Sequence, residues 1–571
     1  MDASNSSVGH GNGPEEYVSA SRSRQRYTRW LLTVIFLAAM VRIISPTGWI
    51  GSDDVSYFAA AEHVISQVPM ERVHHQYARS PIVLLTAASV LVGGSNLAAL
   101  MAPAFFMSLL SIVVVIELGS LLWTRAIGLT AGTILAFIPV FVNHSTAVLP
   151  GTYTCAFAGL AMLLVLVGSR RDSLRSLVMF MLMAGFFAGA AVSTKLFAGG
   201  VVVGMASLVW LELGFGRKWW LAAGASALGL LAFLGFETAF YGLMSGDPYF
   251  KWNAMSTARD AHSQGNFHSA TYTSMWTTLQ LVWQRFSMPL HAEFSGLGWF
   301  GWLALPAVAW SMMVDRRAKP FALWFAVTFL GVGFIPISMQ NGIHVFPPGF
   351  FDGVNLMVLC VPMSLCCAWL MFRVMSIVRS HAWLGQRTFV RRWPVFVMAV
   401  LVISCWNRWH YNSRSRLPQQ ELAVAMIRLT EETAFRDEEP IYLLPSLYWR
   451  YRLMFPESLR DRLRVVADRN APNWWKTACP DMTDRHVELP ITPTGYLIAT
   501  PSQLYAEGHY WDYGVGFPGE VAAWRSIEPT VRIARRTGKL LVLPASQSDD
   551  RTKCLLCVID SKDTRETVAQ R

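Results

Sequence analysis

The chain has 571 residues, of which 53% are hydrophobic and only 15% charged, with a mean hydropathy of +0.35. Soluble domains carry about 25% charged residues, so this balance excludes an ordinary soluble protein and points to a polytopic membrane protein. The net charge of +11 does not argue for a nucleic-acid partner, because the basic residues sit in short segments between apolar runs, a placement that membrane topology explains.

Residues 1–28 form a polar N-terminus, rich in Ser, Gly and Asn, with almost nothing to bury; disorder on the cytoplasmic side is expected. The apolar run that follows has no small-residue cleavage pattern and reads as an uncleaved first span. A crossing needs about 20 apolar residues. Spans are expected near 30–50, 96–123, 127–143, 152–169, 175–193, 196–213, 219–243, 297–314, 320–338, 353–373 and 393–409, about eleven in all. Residues 81–92 (PIVLLTAASVLV) are too short to cross and read as an interfacial or re-entrant helix. The transmembrane domain is thus expected over 29–409, with outward loops at 51–95 and 244–296.

Lys and Arg in the short loops set the orientation. Eighteen fall on the N-terminal side, among them Arg22, Arg24, Arg26, Arg29, Arg170, Arg171, Arg316 and Arg317, against six on the other. The N-terminus is therefore read as cytoplasmic, in a multi-pass cell (inner) membrane, and everything after about 410 as extracytoplasmic.

Residues 410–571 read as a soluble α/β domain. QQELAVAMIRLTEET has helical periodicity, and IYLLP, GYLIAT and KLLVLP are apolar runs of strand length. No GxxxxGK or GxGxxG nucleotide loop and no internal repeat is present. Cys155, Cys360, Cys366, Cys367 and Cys405 fall in apolar runs as packing residues. Cys479 can pair with Cys554 or Cys557 in an oxidising compartment, and the sequence does not choose between them. CLLC lies in an expected strand, where a spacing of three puts the sulfurs on opposite faces.

The chemistry concentrates in the loop after the first span. GSDDVSYF places Asp53 and Asp54 at the membrane edge, where they can cap a helix beginning at Asp54, bind a cation or move a proton. The helix DVSYFAAAEHVI has an apolar side suited to lying along the membrane surface. Arg79 precedes Pro81 at the start of the short helix and can hold a phosphate by charge-assisted hydrogen bonds, or snorkel. Glu62, His63, Glu71, His74 and His75 form a set able to hold a divalent metal. Lys195 stands at the outer end of the fifth span. The long outer loop carries Lys251, Arg259, Asp260, His262 and His268, and QNGIHVFPPGFFDG carries His344 and Asp352.

The stretches SDDVSYFAAAEHV, QYARSPIVLLTAASVLVG and VSTKLFAG, and more loosely HVFPPGFF, resemble membrane glycosyltransferases of the C type (GT-C). The protein O-mannosyltransferases and lipid A aminoarabinose transferases are the groups most like it. The resemblance implies a GT-C fold and a polyprenyl-phosphate sugar donor. It implies transfer with inversion to an acceptor protein, lipid or polysaccharide on the outer side. By motif it makes Asp53 the general base and Asp54 its partner where the family has Glu. It makes Arg79 and Lys195 phosphate-binding cations, with Arg259, His262 and His344 as acceptor-side candidates and no metal ligand assigned. The chain departs from the family at Ser56, where many members have Arg, and in LPGTYTCAF, which lacks the family's acidic residue. A transporter would instead need ionisable residues deep in the spans, for which Glu117 and Glu237 are the candidates. A non-catalytic scaffold would leave the aspartates as helix caps.

Overall fold

The computed structural model describes residues 14–44, 47–48, 53–70, 75–261, 270–271, 300–334, 336–338, 344–345, 357–380, 399, 439–443, 448, 455, 457–467, 486–488, 495–499, 540–543 and 554–559. The first helix, α1, runs Pro14–Ile44. Residues 14–28 are therefore helical, where disorder was expected. Pro14 at the first position and Glu15 and Glu16 in the first turn favour a helix start there, and the apolar span beyond propagates it.

In chain order come α2 (Asp53–Ser66), a 3-10 turn (His75–Ala78) and α3 (Ser80–Gly93). Then follow α4 (Leu97–Leu122), α5 (Arg125–Phe137), α6 (Pro139–Asn143), α7 (Pro150–Ser169) and α8 (Leu174–Thr194). After these come α9 (Gly200–Leu213), α10 (Arg217–Ser245), α11 (Phe250–Ala261), α12 (Phe300–Val314), α13 (Lys319–Phe334) and α14 (Cys360–Ser380). Among the described residues seven helices are long and apolar enough to cross a membrane: Gln25–Ile44, Leu97–Leu122, Pro150–Ser169, Leu174–Thr194, Leu196–Leu213, Arg217–Ser245 and Met357–Ile377. Four shorter apolar helices accompany them, including α3. The expected span at 127–143 is in two pieces. Pro139 cannot donate its backbone to a helix and pushes Ile138 into an extended conformation (φ −62°, ψ 123°). The expected span at 393–409 falls, apart from residue 399, outside the described residues.

Small residues let the helices close. A Cβ on Gly185 of α8 would stand 1.9 Å from the Ser226 carbonyl oxygen, and one on Gly229 of α10 would stand 2.0 Å from that of Leu182. The two backbones meet reciprocally at these glycines, the packing that spans adopt when lipid offers no hydrophobic drive between them. Arg42 is fully buried near the end of α1. Its Nε donates to Ser108 Oγ on α4 (2.9 Å), and its Nη1 donates to Ala38 O (2.9 Å) and to Ala136 O (3.4 Å) in the last turn of α5. Ala136 O belongs to the last turn of α5, where helix carbonyls run out of partners within the helix, and the buried cation meets it there. The bond set fixes where the chain leaves α1 towards α2.

The opposite end of the bundle is tied by arginines. Leu121 O at the end of α4 accepts from Arg170 (2.8 Å), and Leu122 O accepts from Arg317 (3.0 Å). Trp123 Nε1 donates to Asp315 (2.9 Å). Glu117, a candidate for an intramembrane relay, accepts from the Tyr27 hydroxyl (2.8 Å). Cys155, Cys360, Cys366 and Cys367 are buried thiols, as packing residues should be.

Among the described residues the strands form two sheets. In the small one, β1 (Ala270–Thr271) and β2 (Pro336–Ser338) flank β3 (His344–Val345), with Thr271 and Ser338 opposite His344. The C-terminal sheet has six strands in the order β6-β5-β4-β7-β9-β8. Its parallel half is β4 (Ile441–Leu443), β5 (Leu463–Ala467), β6 (His486–Glu488) and β7 (Gly495–Ala499), while β8 (Leu540–Leu543) and β9 (Cys554–Ile559) add antiparallel. IYLLP, GYLIAT, KLLVLP and CLLC all supply strands, as their composition predicts; the helix expected at QQELAVAMIRLTEET lies outside the described residues. Arg460 donates to Ser95 O between α3 and α4 (3.3 Å), so this sheet's segment meets the end of the bundle that carries α3.

Gly185→Val should lower the detergent-solubilised melting temperature, at a cost of about 1–3 kcal/mol from overpacking. Gly224→Ala, inside α10 with nothing within 4 Å of its Cβ, should leave stability unchanged or raise it by up to about 1 kcal/mol. Thermal unfolding of both variants checks this, and equal melting temperatures would contradict the close crossing.

Candidate active site

Asp53 and Asp54 both lie in the first turn of α2, where unpaired backbone N–H groups favour negative charge. The helix opens at Asp53, one residue earlier than the cap reading expects. It does not lie along a surface: Asp54 through Ala61 are all buried. Asp54 is 1% exposed and its side chain accepts the Val55 N–H (3.1 Å). Asp53 keeps 36% of its side chain exposed. Burial therefore separates the pair into an enclosed carboxylate and one open to a reactant.

Asp53 is held from one side. Gln76, in the 3-10 turn, donates its Nε2 to Oδ1 (2.9 Å), and Arg79 Nη1 stands 4.0 Å from Oδ2. The Arg79 guanidinium donates to the Tyr57 hydroxyl oxygen and lies 5.8 Å from the Tyr57 ring centroid. Tyr57 is fully buried; burial raises its phenol above the usual value, with Arg79 working against the rise, so the ring keeps its proton. Arg79 is also the N-cap residue of α3, with Pro81 in the first turn as its position predicts. The 4.0 Å contact to Asp53 is at the limit of an ion pair and leaves carboxylate lone pairs for a proton.

Behind this layer α10 anchors the loop. Glu237, Tyr241 and Met244, at i, i+4 and i+7, lie on one face of the helix. Ser80 Oγ donates to Glu237 Oε1 (2.7 Å), Tyr241 donates its hydroxyl to Tyr77 O (3.0 Å), and Met70 N–H donates to Met244 O (2.8 Å). Ser193 of α8 also donates to Glu237 Oε1. Lys251 of α11 donates to Glu237 Oε2 (2.6 Å) and Ser193 Oγ (2.8 Å). The side chains of Glu237 and Lys251 are 4% and 12% exposed. Burial lowers the Lys251 ammonium from its ordinary value; Glu237 opposes this and Arg79 adds to it.

The structure thus brings Asp53, Asp54 and Arg79 together. Lys195 is buried at the C-cap of α8, two residues beyond Ser193, with its charge acting on His144 and Cys155. Arg259 lies in α11 and His344 in β3, both with side chains outside the described residues, and His262 is outside them altogether. Sequence reasoning missed Gln76, Tyr57, Ser80 and Ser193, and it left Glu237 and Lys251 without partners. The signal for that pair was present: an acid within an apolar run needs a counter-charge, and Lys251 follows at the end of the same run. Among the described residues no three His, Cys, Asp or Glu side chains group as a metal site. Of the metal-capable set, His63 packs 6.0 Å from the Tyr77 ring, and Glu71 and His74 lie outside the described residues.

Burial, with Lys195 second, lowers His144 from 6.5 to about 4. The unfolded chain then takes up the proton first as pH falls. Stability is complete above 6.5 and is lost progressively towards about 4, by up to about 3 kcal/mol. His144→Gln should flatten that acid limb of the melting temperature; an unchanged limb would place the loss elsewhere.

No family model and no curated protein sequence matches the chain. Among solved structures it is similar to ArnT from Cupriavidus metallidurans in the apo state. That match has 14% identity and a TM-score of 0.51, over 95% of this chain and 99% of that one. It is similar to the same protein bound to undecaprenyl phosphate, at 15% identity and a TM-score of 0.53, over 94% and 99%. The apo oligosaccharyltransferase of Archaeoglobus fulgidus matches at 13% identity and a TM-score of 0.49, over 86% and 72%. At these identities the likeness is one of fold: the chain is a multi-pass membrane protein with the GT-C fold.

Proposed function

We propose that this protein is an integral-membrane glycosyltransferase. It moves a sugar from a polyprenyl-phosphate donor to an acceptor protein, lipid or glycan on the extracytoplasmic face, with inversion. The observation that carries the reading is the partly exposed Asp53 carboxylate with the Arg79 guanidinium 4.0 Å from it. The fold likeness to an ArnT structure bound to undecaprenyl phosphate supports a lipid phosphate as ligand.

The step balances on these residues. The acceptor oxygen attacks the anomeric carbon while its proton passes to Asp53. The bond from that carbon to the phosphate oxygen breaks, and its electron pair leaves with the polyprenyl phosphate. Negative charge grows on the phosphate, where Arg79 stabilises it. Attack opposite the leaving group inverts the centre. Asp54, enclosed and bonded to the backbone, keeps the helix start. Lys195 is a second phosphate cation on the family resemblance. Arg259, His262 and His344 are acceptor-side candidates, and the pairing of β1 with β3 supports bringing their two segments together. The transport reading needs Glu237 as a relay, whereas its oxygens are bonded to Ser80, Ser193 and Lys251.

With purified protein and a polyprenyl-phosphate sugar, Asp53→Asn should lower kcat by about 10²–10⁴-fold with donor binding retained. Arg79→Met should raise the donor KM by at least about tenfold. Full turnover by both Asp53→Asn and Asp54→Asn would remove the assigned base.

A further inference from the structure

We propose that Lys251 neutralises Glu237 so that Arg79 stays available to an anion, making Glu237 and Lys251 positioning residues for the phosphate site; this rests on the donor reading above. Ser80, bonded to Glu237 at 2.7 Å, is the residue next to Arg79. A buried carboxylate left without its counter-charge draws another cation or takes up a proton, because its desolvation is uncompensated. Arg79, next to Ser80 and near enough for its charge to act on Lys251, is a cation within reach, and its hold on Asp53 is a loose 4.0 Å. Lys251, at 2.6 Å, answers Glu237 instead. The geometry makes the division of labour plain: Glu237 takes the lysine, and the guanidinium faces Asp53 and Tyr57.

The neutralising charge comes from α11, while Arg79 and Asp53 come from α3 and α2. The charge balance of the phosphate site therefore depends on a third element being docked. Phe250, beside Lys251, is fully buried and stacks on Tyr241 (5.1 Å, 19°), and Tyr241 bonds Tyr77 O on the loop that carries Arg79. Ser193 belongs to the same unit, since it receives from Lys251 and gives to Glu237. Substituting both members, Glu237→Gln together with Lys251→Met, keeps an acceptor for Ser80 and removes both charges at once, a replacement that buried ion pairs often tolerate.

The test is binding of undecaprenyl phosphate to the purified full chain in detergent, with melting temperatures recorded beside it. Lys251→Met should weaken binding by at least about tenfold, the scale of a charge-assisted hydrogen bond. Glu237→Gln, which releases Lys251 near Arg79, should bind at least as tightly as wild type. The double variant E237Q/K251M should recover to within about threefold of wild type, a rescue that lost folding alone would not produce. Wild-type binding by Lys251→Met, or a folded double variant no better than Lys251→Met, overturns the proposal. Should Lys251→Met not fold, the other two decide: weaker binding by folded Glu237→Gln or by the double variant overturns it, and wild-type binding by both supports it. If the wild-type protein binds no undecaprenyl phosphate, the donor reading falls and this inference with it. If wild type binds and Lys251→Met binds equally, this inference alone falls.

Discussion

Ser80 gives its hydroxyl hydrogen to Glu237 across 2.7 Å, and the arrangement of the candidate site hangs from that bond and its two neighbours on α10. Tyr77 and Met70 meet the next turns of the same face. These three links tie the chain between α2 and α3 to α10, beside the bonds that Gln76 and Arg79 make to α2. Apolar packing alone does not set the register of a loop. Hydrogen bonds in a low-dielectric setting do, because leaving any of these groups unpaired costs more than the bond itself gains. The loop in turn sets Gln76 and Arg79, and those two set the outlook of Asp53.

The two ends of the bundle are built by different rules. At one end, arginines from the short connections satisfy the last carbonyls of α4, a use of positive charge that follows from the helix dipole. At the other, charges meet in pairs: Lys251 with Glu237 below the surface, and Arg79 near the more open Asp53. Only Asp53 of these acids keeps substantial exposure. An exposed carboxylate beside an enclosed one, with a cation to one side, is a layout suited to moving a proton while an anion departs.

The sequence made the membrane class, the acidic opening of α2, the start of the short helix α3 just after Arg79 and most C-terminal strands legible, because these are written in composition and period. It also showed Glu237 and Lys251 as single letters. Their meeting depends on α8, α10 and α11 converging, and no local pattern carries that. The break at Ile138 was legible in principle, since Pro139 forces it, yet apolar length alone read straight through. Lys195 entered by motif as a phosphate cation; in the fold it caps the end of α8, and its charge acts on His144 and on Cys155 of α7. A two-residue step along a helix turns a side chain to about the opposite face from Ser193, which is why neighbours in sequence serve different surroundings.

The most direct measurement is mass spectrometry of surface glycans, lipids and proteins from cells lacking the gene, complemented with either wild-type protein or Asp53→Asn. Transfer from a lipid-linked donor through Asp53 predicts one sugar missing from a defined acceptor, restored by wild type and not by Asp53→Asn. Identical profiles in all strains, or restoration by Asp53→Asn, would contradict it.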